Sequence, residues 1–200
     1  MIQKCWQPLH FLQARQVIQD RKAGEAVTDA LIQAARDGDE QALTQLIQEH
    51  YEAIYRFCCW KVRDRETARD ITQETFLRFI AALSRYTSQG KLRAYLYTIA
   101  RNLCADWHKR KPAYLLAEPD HAFDPLPLSH QGLDDDQLWL RDLVERLPDH
   151  QREAVILRYG HDLKLSEIAQ ITQTTRFTVQ YRLKGALTAL RSQMKGGPNE

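Results

Sequence analysis

Nowhere does the sequence run to the roughly 18 consecutive apolar residues that a membrane-spanning helix needs, so no membrane insertion is expected. The opening, MIQKCWQPLHFLQARQ, has neither the apolar run nor the small-residue cleavage site of a secretory signal, and the expected location is the cytoplasm. Cysteine is scarce: Cys5, Cys58, Cys59 and Cys104 show no CxxC spacing, and a cytosolic chain of this size folds without disulfides. Only 8 glycines are present, and none belongs to a phosphate-cradling loop. With no nucleophile elbow and no paired-acid site either, the chain is not expected to be an enzyme or to hold a cofactor or metal. An excess of one charge is also missing. Lys and Arg number 28 against 26 Asp and Glu, so net charge does not select a polyanionic partner, and the distribution of charge has to be read instead.

That distribution divides the chain. Residues 113–136, AYLLAEPDHAFDPLPLSHQGLDDD, carry Glu118, Asp120, Asp124, Asp134, Asp135 and Asp136 with no Lys or Arg, and add Pro119, Pro125 and Pro127. Proline removes backbone donors and like charges repel, so this stretch predicts a flexible acidic linker. On both sides apolar residues recur at steps of three and four, and no strand-like alternation persists. The expected fold is all-α: two small helical domains, 27–112 and 137–195, joined by the linker, with an unassigned extension at 1–26 and a tail at 196–200. Helices are expected near 27–36, 39–62, 64–85 and 91–110 in the first domain. In the second they are expected near 137–146, 149–160, 165–171 and 175–194. Asp39, Asp64 and the Ser88-Gln89-Gly90 turn punctuate the first set.

Residues 165–190, LSEIAQITQTTRFTVQYRLKGALTAL, read as a helix-turn-helix: a short helix, a polar turn at Thr172 to Thr174, then a longer helix. Gln173 stands where such turns often have glycine. On the longer helix Val179, Leu183, Ala186, Leu187 and Leu190 form one apolar stripe. Opposite it project Phe177, Gln180, Tyr181 and Lys184, with Thr178 and Arg182 on the flank, an arrangement suited to a major groove. Gln pairs with adenine edges, Lys reaches guanine, an aromatic ring meets a thymine methyl, and Arg and Thr hold phosphates. Lys164, Arg176, Arg182, Lys184, Arg191 and Lys195 face a single local acid, Glu167. The competing reading is an ordinary solvated helix face.

In the first domain, Ala68, Thr72, Phe76, Phe79 and Leu83 share the inward stripe of the 64–85 helix. Asp70, Gln73, Glu74, Leu77 and Ala81 share the other side, combining carboxylates, an amide and an exposed leucine as docking onto a basic partner helix requires. The 91–110 helix is expected to bury Leu92, Leu96, Ile99 and Leu103 and to turn Tyr97, Arg101, Cys104 and His108 outward. Lys91, Arg93, Arg101, Lys109, Arg110 and Lys111 make it basic, with Asp106 the one acid. Cations beside exposed rings hold single strands, each stacked base contributing about 1 to 3 kcal/mol. Tyr86, Tyr95 and Tyr97 are the ring candidates, and Tyr95 could equally be core. The loop from Tyr86 to Gly90 could receive an extruded base.

Three motifs now stand in order: ARDITQETFLRFIAAL, in which Asp70, Gln73, Glu74 and Phe76 fit a DxxQExF pattern, then KLRAYLYTIARNLCADWHKRK, then LPDHQREAVILRYGHDLKLSEIA. With them the chain resembles the extracytoplasmic-function (ECF) group of the sigma-70 family of bacterial sigma factors over roughly residues 27–195. The resemblance implies a first domain, region 2, that docks on the beta-prime clamp helices of core RNA polymerase through Asp70, Gln73, Glu74 and Leu77. It implies minus-ten contacts from Tyr86, Ser88, Lys91, Tyr97, Arg101, Asn102, His108 and Lys109. Region 4 is implied to bind the beta flap and to read the minus-thirty-five element through Arg176, Phe177, Thr178, Gln180, Tyr181, Arg182 and Lys184. An anti-sigma factor is an implied partner, and the acidic linker is implied to pass near the RNA exit path. The chain departs from the family at Phe177, where glycine is frequent, and at Gln180, where a basic residue is frequent, so the usual upstream element does not carry over.

Two other classes fit parts of the sequence. A helix-turn-helix repressor or activator that works without polymerase would leave the first domain's carboxylate face without a purpose. A metal or redox protein would use Cys104 and His108, one turn apart, but zinc needs four ligands, and Cys58, Cys59 and His50 lie on another helix where cysteine is usual core filler.

Overall fold

The structure, a computed structural model, describes residues 24, 26–87, 91–110 and 142–195. The extension before residue 24, Ser88, the linker at 113–136, the expected helix start at 137–141 and the tail at 196–200 lie outside the described residues. Among the described residues every regular element is helical, in agreement with the all-α expectation.

Helix α1 covers residues 26–36 and ends in a turn through Gly38, whose φ of 95° is one that only glycine adopts without strain. Asp39 then caps α2 (Glu40–Val62), its Oδ1 accepting from the Gln41 and Ala42 amides at 2.8 and 3.0 Å. Asp64 repeats the device for α3 (Arg65–Ala82) by accepting from the Thr67 amide at 2.8 Å. Helix α3 is shorter than the expected 64–85 because residues 83–85 continue as a turn. Helix α4 spans Leu92–Arg110.

Residues 142–145 form a helical turn, α5, followed after Pro148 by α6 (Asp149–Val155). The expected helix to residue 160 is not uniform. From Ile156 to Gly160 the pitch widens to a π-helical turn, closed by the His161 amide on the Ile156 carbonyl at 3.0 Å. Helix α7 (Leu165–Ile171) begins with the Lys164 amide donating to Glu167 Oε2 at 2.6 Å, and α8 spans Arg176–Lys195.

The chain divides into two compact units, one of Met1–Glu49 with Ala82–Leu92, the other of His50–Ala81 with Arg93–Glu200. In the first, Ile32, Ala42, Leu46, Leu83 and Leu92 are buried, and Arg36 ties α1 to the turn after α3 by donating from Nε to the Leu83 carbonyl at 2.9 Å. In the second, Phe57 of α2 meets Tyr97 of α4 edge-on at 5.2 Å between ring centroids, and Tyr51 stacks on Phe76 at 6.0 Å. Leu157, Leu163, Ile168, Ile171, Val179 and Ala186 form the core under the helix-turn-helix. Cys58, Cys59 and Cys104 are all free and buried.

Candidate nucleic-acid interface

The helix-turn-helix has the expected form. Gln173 carries the left-handed conformation of its turn, with φ at 54°, so the position does have the geometry glycine would suit. Thr175 caps α8, its Oγ1 accepting from the Thr178 amide at 3.1 Å. Val179, Leu183, Ala186 and Leu190 face the core, and Leu187 is half-buried. Phe177 and Tyr181, one turn apart, are 78% and 72% exposed, with Arg176, Gln180 and Lys184 exposed around them. Thr178 and Arg182 are half-buried flanks. Two large rings held in water on a helix also lined with cations form a surface ready for a partner with both phosphates and apolar edges.

On α3 the inward stripe is buried as expected, and Ile71 and Thr75 join it. Asp70, Gln73 and Ala81 are exposed, Leu77 is 60% exposed, and Glu74 pairs with Arg78 one turn on at 2.7 Å. Ile80, which the periodicity did not single out, extends the apolar part of this face.

Helix α4 corrects the sequence reading. Tyr97 and Cys104, expected outward, are each 1% exposed, while Ile99 and Leu103, expected in the core, are only half-buried. The reason is that this side of α4 packs on α2 through Phe57 and Cys58, with His161 closing over Tyr97 beside them. Tyr97 packs against Phe57 and shares a 2.8 Å hydrogen bond between its hydroxyl and His161 Nδ1, and burial pushes its phenol up. Cys104 lies against Cys58, and a thiol hydrogen bond together with burial raises it well above the ordinary value. Cys104 and His108 both face α2 but differ in burial: His108 is exposed and its Nε2 pairs with the Lys61 carbonyl at 2.9 Å. No group of three or more possible metal ligands gathers among the described residues.

Of the other candidates, Lys91, Asn102 and Lys109 are exposed, Lys109 pairing with Asp106 at 3.3 Å, and Tyr86 is half-buried. Arg101 is committed to Glu153 of α6, donating from Nε to Oε1 at 3.0 Å and from Nη2 to Oε2 at 3.3 Å. Lys61 approaches the same Oε1 at 2.5 Å. Burial alone would raise the Glu153 carboxyl, but the two cations outweigh it and hold the group below its ordinary value. Arg93 donates to the His161 carbonyl at 2.7 Å. Burial, aided by the charges of Arg56 and Arg93, pushes His161 down to about 4, so its ring is neutral at pH 7. Sequence reasoning missed Lys61, Glu153 and His161, since nothing in their spacing links them.

A base-accessible helix-turn-helix and a carboxylate-and-leucine face on one helical chain define a DNA-binding protein of transcription that also docks on protein. Residues 46–113 match the family description Sigma-70 region 2, and residues 137–190 match Sigma-70, region 4. The chain is 31% identical over 170 residues to the ECF RNA polymerase sigma factor SigC of Mycobacterium tuberculosis, covering 83% of this chain and 90% of that one. It is also 31% identical over 169 residues to the ECF RNA polymerase sigma factor BldN of Streptomyces coelicolor, covering 80% of this chain and 64% of the relative's length. In fold it is similar to the sigma factor RpoE solved with the anti-sigma factor NepR from Bartonella quintana, with a TM-score of 0.60, 23% identity, and coverage of 76% of this chain and 96% of that one.

The chain belongs to the ECF group of the sigma-70 family of RNA polymerase sigma factors. As a sigma factor it binds core RNA polymerase, directs it to promoters and assists their opening. A regulator acting without polymerase would have no use for region 2, so that rival reading falls.

Proposed function

We propose that residues 27–112 work as the polymerase-docking and strand-opening domain and residues 137–195 as the upstream-element reader, with 113–136 as the tether between them. The family match at 137–190 falls inside the second of these domains, and the match at 46–113 runs one residue past the first. Asp70, Gln73, Glu74 and Leu77 meet the beta-prime clamp helices, with Ile80 adding apolar area. Tyr86, Ser88, Lys91, Arg101, Asn102, His108 and Lys109 handle the minus-ten strand. Arg176, Phe177, Thr178, Gln180, Tyr181, Arg182 and Lys184 read the minus-thirty-five element, and the domain around them binds the beta flap. A tether joining two weak DNA grips raises the effective concentration of each for its own element.

The exposed α8 face carries this reading furthest: Phe177 and Tyr181 stand in water with Gln180 and Lys184 between and beside them. The protein works in the cytoplasm, where polymerase is. No described helix is long and apolar enough to cross a membrane. The chemistry of nucleotide addition belongs to polymerase, and an anti-sigma factor of the kind solved with RpoE holds the chain when it is idle. Run-off transcription by purified core polymerase plus this chain from a randomised promoter library tests the proposal. Enrichment of a two-part promoter supports it, and transcription no different from core alone refutes it.

A further inference from the structure

The packing of α8 is satisfied by Val179, Leu183, Ala186 and Leu190, all buried, so the fold has no use for the rings of Phe177 and Tyr181 on the opposite side. Their direction is nevertheless fixed. Phe177 lies in the first turn, where helices fray, but the Thr175 hydroxyl accepts from the Thr178 amide at 3.1 Å and meets the Thr178 hydroxyl at 2.9 Å. Further along, a β-carbon on Gly185 would come within 3.1 Å of Gln151 Nε2 of α6, so α8 sits too close to its neighbour there to roll. The two rings are held rigidly in water, with Gln180 between them in sequence and Arg176 and Lys184 exposed to either side. The cations give this edge a polyanion as its partner.

What the rings can meet on duplex DNA is restricted by the chemistry of the major groove. Base edges there are nitrogen and oxygen donors and acceptors, with one apolar group among them, the 5-methyl of thymine. A ring pressed on an amino or carbonyl edge strips its water and returns no hydrogen bond, which is costly, whereas on a methyl it gains apolar contact. Four residues of α-helix rise about 6 Å, close to two base steps of about 3.4 Å each. We propose that Phe177 and Tyr181 set the base preference of the upstream element by reading the methyl groups of two thymines about two base steps apart. The inference rests on the proposed role of α8 as the upstream reader and names the groups it reads. A methyl contact displaces no counterion, so this part of recognition is insensitive to salt, unlike the hold of the cations on phosphates.

The test uses holoenzyme assembled from core polymerase and the full chain, with promoter duplexes carrying the upstream element that the randomised library returns. Each thymine of that element, on either strand, is replaced singly by deoxyuridine, which lacks only the methyl, and affinity is measured by competition at low and at high salt. Replacement at two positions about two steps apart should weaken binding about fourfold, the effect of one buried methyl-sized group, by the same factor at both salts. In Phe177→Ala one of these positions becomes indifferent to the methyl, and in Tyr181→Ala the other. Tyr181→Phe keeps the wild-type pattern, because the ring remains. Both side chains are exposed, so the alanine variants should stay folded, which circular dichroism checks. An element in which deoxyuridine replaces every thymine without loss, or one whose methyl dependence survives in both alanine variants, overturns the proposal and leaves α8 as the upstream reader. A library that returns no upstream element removes that reading, and the inference with it.

Discussion

The hydroxyl of Tyr97 lies 2.8 Å from Nδ1 of His161, sixty-four residues away in sequence, with the tyrosine buried and the histidine half-buried. This pairing is acid-sensitive. The folded chain keeps His161 neutral down to about pH 4, under the charges of Arg56 and Arg93, while the unfolded ring protonates near its ordinary value of 6.5. Between those values the unfolded state holds more protons, so the stability that neutral His161 contributes is complete above pH 6.5 and declines as pH falls toward 4. The loss reaches about 3 kcal/mol. Glu153 acts in the same direction, since its lowered carboxyl contributes above the ordinary carboxylate range and is lost as pH falls through the folded value. Denaturant melts at pH 7.5 and 5.0 should show the decline, and His161→Gln should flatten it. Equal slopes for the two proteins would contradict the account.

Docking on polymerase should be sensitive to the outer face of α3. Asp70→Arg or Leu77→Ala is expected to weaken association with core enzyme by about 1 to 2 kcal/mol, because each removes part of an exposed mixed face. Thermal stability should change by less than about 0.5 kcal/mol, as usual for exposed positions. Binding titrations with labelled core polymerase measure the first, and wild-type affinity in both variants would dismiss this face.

Upstream recognition should separate into two kinds of contact. Gln180→Ala and Lys184→Ala are each expected to lose about 1 to 3 kcal/mol at one particular base, whereas Arg182→Ala should weaken all sequences alike and lower the salt dependence. Competition assays across single-base promoter variants make the distinction. An unchanged base preference in both base-facing variants would reject these roles.

The turn of the helix-turn-helix stores a small strain. Gln173 is exposed and sits at φ 54°, where a β-carbon is crowded by its own backbone. Gln173→Gly should raise stability by about 0.5 to 1 kcal/mol with DNA recognition unchanged, as read by thermal melts and promoter binding. A lower melting temperature would mean that the side chain contributes more than the strain removes.

Helices α2, α3, α7 and α8 were legible because each has an apolar stripe, and Asp39 and Asp64 mark the starts of the first two. The outward sets on α3 and α8 followed from the same period. The π turn at Ile156–Gly160 did not, since widening by one residue per turn leaves no mark on the residue types. Helix α4 misled for a deeper reason. Periodicity shows which residues share a face but not which faces are covered, and Tyr97 is covered by Phe57 of α2 and by His161, so an aromatic there reads the same whether water or another segment meets it. Glu153 was hidden likewise, being one acid among several until the fold set Lys61 and Arg101 around it.

The three sequestered thiols at Cys58, Cys59 and Cys104 give the molecule an intrinsic gauge of its own integrity. An alkylating reagent reaches Cys58 and Cys104 only when α2 and α4 come apart, so the rate of their modification times the rupture of that seam without any introduced probe. Movement of the neighbouring helices that leaves α2 and α4 together would be silent on the same clock.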